Sequence, residues 1–250
     1  MTRNPLKARL LAGEATRGLW LALTSPAAAE IAGQAGFDWC MIDGEHAPNT
    51  LESLAAQLRA LEPTPAQACA RVPIGEDWVI KQVLDLGVMN ILIPMIHDGD
   101  AAAGAVAACR YPPEGVRGVG AALARATGFG GDRAYLDEAN DAICVMVQAE
   151  SRAAVENIDA IAGTDGVDVV FIGPADLAAD MGHRGNMTHP EVMEAIELLI
   201  ARIHAAGKVA GTVVFDPDVA QWMAGKGVTF LGIGGDATTL RAGLEALAQG

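Results

Sequence analysis

The sequence predicts a single α/β domain closed as a (β/α)8 barrel of the TIM type. Three observations carry that expectation. Short runs rich in Val, Ile, Leu and Phe alternate with longer Ala-rich stretches at helical spacing, and eight such pairs follow one another. The chain has 250 residues, a common size for one such barrel, and 51% of them are apolar, enough for a large core. No Pro/Ser-rich linker or low-complexity run divides it.

Taken in order, the strands are expected at residues 18–23, 38–42, 66–72, 89–94, 143–148, 168–172, 209–214 and 229–233. Each is short and nearly continuously apolar, the pattern of a parallel strand buried on both faces. The intervening helices are expected at 26–35, 50–61, 78–86, 100–109, 152–162, 190–206 and 217–225, with a last one at 236–248. An extra helix at 132–139 precedes the fifth strand. A doubly wound open sheet is the rival fold, but it usually has fewer strands and often a G-x-G-x-x-G loop after the first. Here the first strand runs into LTSPAA. The longest irregular stretch, 111–131, is rich in glycine and contains Pro112 and Pro113; a loop of that length in a compact domain is often functional.

The totals exclude several classes of partner. A net charge of −14 leaves no basic stripe to neutralise nucleic-acid phosphates, and it disfavours anionic membrane surfaces. No apolar segment is long enough to span a bilayer, and the first residues lack the apolar core of a signal peptide. A cytoplasmic location is therefore expected. Cys40, Cys69, Cys109 and Cys144 show no C-x-x-C pairing and read as core packing in a reducing compartment.

In a barrel of this kind the chemistry sits where strands end and βα loops begin. The second strand is followed by Asp43, Gly44, Glu45 and His46, and the third ends at Arg71. The fifth ends in Gln148, Ala149 and Glu150; the sixth is followed by Gly173, Pro174, Ala175 and Asp176; and the eighth leads to Asp236. Acids, an imidazole and a guanidinium thus gather on one face, whereas the opposite ends carry ordinary helix-end residues. Glu150 and Asp176 come from adjacent strands, and two carboxylates plus waters suit a hard dication such as Mg²⁺ or Mn²⁺. The alternative is that each merely sits near a helix N-terminus. His46 follows Asp43 by three residues, and a carboxylate can hold an imidazole in one tautomer; otherwise His46 is a surface loop residue. Arg71 ends an apolar strand and would be nearly buried, so it needs an anion, either a ligand or an internal partner such as Glu45 or Asp43. The four lysines, Lys7, Lys81, Lys208 and Lys226, all lie away from strand C-termini, which argues against Schiff-base chemistry.

These segments together resemble the HpcH/HpaI aldolase family, the class II pyruvate-dependent aldolases. The matching stretches are DWCMIDGEH at 38–46, IKQVLDLG at 80–87, ILIPM at 91–95, RYPPEGVRGVG at 110–120, VQAES at 147–151 and VFIGPADL at 170–177. They span most of the chain in the right order, and the RYPPEGVRGVG stretch is the most specific. The resemblance implies aldol cleavage of 4-hydroxy-2-oxo acids to pyruvate and an aldehyde, with a divalent metal, Mg²⁺ or Mn²⁺ with Co²⁺ or Zn²⁺ as substitutes, held by Glu150 and Asp176. It implies His46, partnered by Asp43, and Arg71 as catalytic groups. It implies that Gln148, Trp20 and Val213 line the pocket and that backbone groups around Gly173 and Ala175 hold the pyruvate carboxylate. It also implies a homohexamer with an exchanged C-terminal helix, in which Asp85 enters a neighbour's site, although by its own pattern Asp85 is a plain helix residue. Close relatives carry Ser near Ala122, and they vary where this chain reads Thr212, Val213, Val214, Phe215, which leaves the aldehyde open. The alternative activities are other metal-dependent reactions of 2-oxo acids, such as oxaloacetate decarboxylation, or acyl-CoA lyase chemistry, which the acidic charge disfavours.

Overall fold

Parallel pairing closes the sheet: in the computed structural model, which describes residues 3–249, each strand bonds to the next and the eighth returns to the first. In chain order the elements are α1 (Pro5–Leu11), β1 (Thr16–Leu21), α2 (Pro26–Gln34), β2 (Trp39–Asp43), α3 (Leu51–Leu61), β3 (Gln67–Arg71), α4 (Asp77–Asp85), β4 (Asn90–Ile93) and α5 (Gly99–Cys109). There follow a 3-10 turn (Arg125–Thr127), α6 (Tyr135–Ala142), β5 (Cys144–Ala149), α7 (Arg152–Glu156), α8 (Ile158–Gly163), β6 (Val169–Ile172) and α9 (Pro174–Asp180). The chain ends with α10 (Pro190–Ala205), β7 (Val209–Val213), α11 (Pro217–Gly225), β8 (Phe230–Gly235) and α12 (Asp236–Gln249).

All eight expected strands are present, displaced by a residue or two at their ends. The expected 152–162 helix is two pieces, α7 and α8, joined at Asn157, whose backbone leaves helical geometry. The extra helix before β5 lies at Tyr135–Ala142, three residues later than its expected start and end. Two helices were not anticipated. α1 is only two turns long and precedes any strand, so no alternation announces it; α9 is equally short, seven residues directly after Gly173, too few to show a helical period.

Side chains alternate across the sheet, and the alternation sorts the residues. One parity faces the helices and builds the outer core with Ile42, Ala70, Ile91, Val147 and Ile172. The other parity faces the lumen, where Trp39, Met41, Cys69, Leu92, Met146, Val169, Phe171 and Phe230 form a second buried cluster. Leu6 and Leu10 of α1 belong to this inner cluster and close the lumen at the N-terminal ends of the strands. Asn4 anchors that plug by capping α1 and donating to the carbonyls of Met89 and Ala142. The four cysteines are free and buried; burial pushes the Cys40 and Cys109 thiols up to about 12, so they are inert packing groups.

Trp39 stacks on Phe230 with ring centroids 4.0 Å apart, and its indole nitrogen donates to Thr16. Gly18 on neighbouring β1 leaves the space that this indole fills, because a Cβ there would overlap the ring. Gly18→Ala should therefore lower unfolding stability by roughly 1–3 kcal/mol, the usual range for overpacking. Gly104→Ala, on an exposed face of α5 with nothing within 4 Å, should instead raise it by about 0.5–1 kcal/mol. Urea denaturation of both variants checks the pair; equal effects would mean the lumen tolerates the added methyl group.

Candidate active site

The same parity that buries Trp39 and Met41 aims Asp43 into the lumen two residues later, at the C-terminal end of β2. Asp43 lies directly across from Arg71 in the β2–β3 register. The two form a bidentate pair: Arg71 donates from Nε to Asp43 Oδ1 at 2.9 Å and from Nη2 to Oδ2 at 2.7 Å. Glu45 approaches Nη1 at 2.8 Å from the following loop, as an ion pair without hydrogen-bond alignment, so its buried Oε2 has no directed partner. Arg71 is only 6% exposed, and its guanidinium lies 5.6 Å from the Trp20 ring centre. Burial opposes the charge on Asp43, but the hydrogen bond and charge of Arg71, with the amides of Glu45 and His46, hold its carboxyl below the usual range.

This corrects one expectation. Asp43 does not hold the His46 ring; it accepts the His46 backbone N–H at 3.3 Å, and its side chain is committed to Arg71. His46 itself is exposed and lines the cavity. Of the two anions weighed as internal partners of Arg71, both are in contact with it.

The acids lie across the lumen. Gln148 and Glu150 continue the inward parity of β5. Glu150 is 5% exposed; its Oε1 accepts the amide of Met95 at 2.8 Å and its Oε2 the side-chain amide of Gln148. Met95 turns its amide to this position by adopting a left-handed conformation, φ 55°, just after β4. Burial pushes the Glu150 carboxyl up to about 7; the Met95 and Gln148 bonds oppose that, and the neighbouring charges of Glu45 and Asp176 add to it. Glu45 is raised as well, by burial first and against the pull of Arg71. Glu150 and Glu45 thus feel each other's charge and that of Asp176, with one guanidinium nearby to offset them. An oxygen-rich, under-neutralised cluster of this kind fits a hard dication.

Asp176 is exposed in the first turn of α9, where the N–H groups of Ala175 and Asp176 lack intrahelical partners. The expectation for Gly173 needs correction: its N–H donates to the Ala149 carbonyl and its own carbonyl accepts from Leu177, so its backbone is already committed. Its contribution is steric, since a Cβ there would lie 2.6 Å from Glu150 Oε2 and 3.1 Å from Gln148 Nε2.

Asp43, His46, Arg71, Gln148, Gly173, Ala175 and Asp176 share one cavity of about 440 Å³ at the C-terminal end of the barrel, walled on one side by Trp20 and Val213. Asp236, expected on this face from the end of the eighth strand, also lines it, as do Phe171, Met187, Phe215 and Asp216, which were not singled out beforehand as site residues. Phe171 was legible, as the inward residue two before Gly173; Met187 was not, because it comes from a loop between helices. None of the four lysines lines it. Asp85 lies elsewhere: at the C-terminal end of α4, on the opposite side of the barrel, it accepts Arg117 Nη2 at 2.7 Å. Arg117 is buried, with its guanidinium 4.4 Å from the Tyr111 ring centre. The one trio of metal-type side chains with mutually close ligand atoms among the described residues is His183, His189 and Glu191, outside this cavity. There the atoms already serve one another: Glu191 meets His183 Nε2 at 2.9 Å, and its amide donates to His189 Nδ1.

The chain is similar to known proteins over nearly its whole length. Residues 16–242 match the family model described as HpcH/HpaI aldolase/citrate lyase. A hydroxypyruvate/pyruvate aldolase of Agrobacterium fabrum (strain C58 / ATCC 33970) is 48% identical over 98% of this chain and 92% of its own length. A 4-hydroxy-2-oxo-heptane-1,7-dioate aldolase of Salmonella paratyphi C (strain RKS4594) is 49% identical over 98% of this chain and 94% of its own. The crystal structure of a HpcH/HpaI aldolase/citrate lyase family protein from Burkholderia cenocepacia J2315 superimposes with a TM-score of 0.95 at 41% identity, covering 98% of each chain. More distantly, a citrate lyase beta subunit of M. tuberculosis complexed with oxaloacetate and magnesium shares the fold, with a TM-score of 0.61 at 16% identity, covering 92% of this chain and 95% of that one.

The raised Glu150 carboxyl has a stability consequence. The folded state holds its proton more tightly than the unfolded chain does, so this group's contribution weakens as pH rises from the unfolded value near 4.5 through about 7. In chelator, the stability of the protein should drop between pH 5 and pH 8 by up to about 2–3 kcal/mol more than that of Glu150→Gln. Thermal melts across that window check it; parallel curves for the two proteins would show that Glu150 is not desolvated.

Proposed function

The chain belongs to the HpcH/HpaI aldolase/citrate lyase family, and we propose that the cavity at the C-terminal end of its barrel works through Glu150, Asp176, Arg71 and His46. The protein is an aldolase, a carbon–carbon lyase of the class II pyruvate type, which cleaves 4-hydroxy-2-oxo acids into pyruvate and an aldehyde. The observation that carries the assignment of residues is the nearly buried Arg71 in one cavity with His46, Gln148 and Asp176, with the buried carboxylate of Glu150 bonded to Gln148.

Glu150 and Asp176 would hold the divalent metal. A dication bound there supplies Lewis-acid polarisation of the 2-oxo carbonyl. Arg71, kept rigid by Asp43 on one edge and Glu45 on the other, presents positive charge to the enolate oxygen that develops as the C3–C4 bond breaks. Its pairing with two acids does not disqualify it, because those contacts fix the fork in place before substrate arrives. His46, or a water it contacts, takes the proton from the C4 hydroxyl in cleavage and returns it in addition. The N–H groups of Ala175 and Asp176 offer the partially positive start of α9 to the pyruvate carboxylate, and Gln148, whose buried Oε1 has no partner, lies beside them.

The assembly proposed is a homohexamer in which α12 is exchanged and Asp85 completes a neighbour's site. Supporting this, no residue of α12 is buried, and Leu240, Leu244 and Leu247 lie exposed along one stripe. An apolar groove of about 560 Å³ lies open between β1, β8 and α11, lined by Val214, Ala220, Ala224 and Leu231, where a barrel's last outer helix would pack. No helix of the described chain is long and apolar enough to cross a membrane.

Two experiments test these readings. Deuterium exchange at pyruvate C3 should vanish in EDTA and return with Mg²⁺ or Mn²⁺. Arg71→Ala should slow it by about two powers of ten, whereas His46→Ala should cut aldol cleavage by about 10²–10⁴-fold with less effect on pyruvate binding. Full exchange in chelator would end the metal assignment, and an unchanged rate would remove Arg71. Separately, Leu240→Asp combined with Leu244→Asp should reduce the sedimentation coefficient of the assembly; an unaltered particle would exclude α12 from the interface.

A further inference from the structure

We propose that Met95 is a positioning residue for the metal site and acts through its backbone: the turn after β4 holds a left-handed conformation so that the Met95 amide fixes the Glu150 carboxylate before an ion arrives. The proposal rests on the reading of Glu150 as a metal ligand and adds a residue which that reading does not include. Every group it uses lies in β4, in the turn between β4 and α5, or in β5 and the start of the segment that follows it.

Among the described residues other than glycine, Thr24, Met95 and Phe129 have positive φ. A side chain makes this region unfavourable, so such a residue persists only where its surroundings hold it, often at a functional site. At Met95 the sequence and the strand ladder both contribute. β4 pairs with β5 as far as Ile93 and Val147, and the next residue, Pro94, has no N–H with which to extend the pairing. The amide that returns to β5 is that of Ile96, which donates to the Gln148 carbonyl at 3.1 Å. Met95 lies between these two bonded positions with its own amide turned out of the ladder, in the manner of a bulge. That amide donates to Glu150 Oε1 at 2.8 Å.

The turn is fastened on both sides of Glu150. Ile96 ties it to Gln148, two residues before the acid, and His97 Nδ1 meets Oγ of Ser151, the residue after it, at 2.8 Å. Asn157 donates from Nδ2 to the His97 carbonyl at 3.0 Å, and Ser151 Oγ also accepts the Ala154 amide at the start of α7. The Met95 amide therefore cannot follow the carboxylate if the acid rotates; it holds the acid still. Glu150 has one other described hydrogen bond, from the side-chain amide of Gln148, which can itself rotate. A carboxylate fixed in this way loses less rotamer freedom when it takes an ion, and outer partners of this kind raise metal affinity.

The test measures Mn²⁺ binding to the intact enzyme by electron paramagnetic resonance, beside thermal melts in chelator. Met95→Ile, whose β-branched side chain opposes the left-handed region, should weaken Mn²⁺ binding by about tenfold or more. Met95→Gly, which enters that region freely, should bind within about twofold of the parent and melt no lower. Replacing the peptide bond between Pro94 and Met95 by an ester removes the N–H and keeps the side chain, and it should weaken binding as Met95→Ile does. The ester decides the matter even if Met95→Ile fails to fold. An ester protein that binds Mn²⁺ like the parent overturns the proposal, whatever its melting temperature, because the turn is then structural only. Glu150→Gln separates the two levels. If Glu150→Gln loses the ion while the ester keeps it, Met95 has no positioning role and the metal assignment stands. If Glu150→Gln itself binds at the parent affinity, the metal assignment fails and the role of Met95 falls with it.

Discussion

The two-residue repeat of a strand, closed into a ring, governs this molecule. Eight strands in parallel register must fill a narrow lumen with alternate residues, and two inner layers are satisfied by Trp39, Met41, Cys69, Leu92, Met146 and Phe230 with α1 as a stopper beneath. Continuing the same parity to the strand ends brings Trp20, Asp43, Arg71, Gln148 and Val213 to the open end. Packing below and chemistry above are thus one pattern, and a slip of one residue in β2 or β3 would turn Asp43 or Arg71 from the lumen toward the apolar helix layer.

The open end carries an electrostatic imbalance. Arg71 is buried at acceptable cost because Asp43 grips it in a bidentate pair and Glu45 lies against its remaining arm. Glu150 has no such cation. It is held by one backbone amide and one side-chain amide, and its neighbours Glu45 and Asp176 repel its charge. A fold that keeps a carboxyl in this state forgoes stability at neutral pH, and a bound dication would remove that deficit.

The exposed stripe on α12 and the open groove beside β1 and β8 are the surfaces that the proposed exchange of α12 between copies would cover.

Much of this was written in the linear pattern. Eight apolar runs with helices between them determined the barrel, because local periodicity and chain closure admit few other arrangements. Their C-terminal ends named Asp43, His46, Arg71, Gln148, Glu150 and Asp176 as one face, since in such a barrel every strand points the same way. The stopper helix α1 and the short α9 escaped, being too brief to show a period. Tertiary structure alone decided the pairings: Asp43 serves Arg71 rather than His46, because cross-strand register sets those two side chains opposite each other while sequence spacing only made the imidazole look near. It also turned Gly173 from a backbone donor into a space for Glu150, and it brought Met187 to the cavity from a distant loop. Periodicity is a property of neighbours along the chain; which charges meet depends on register and on the path of loops, and those are set only when the ring closes.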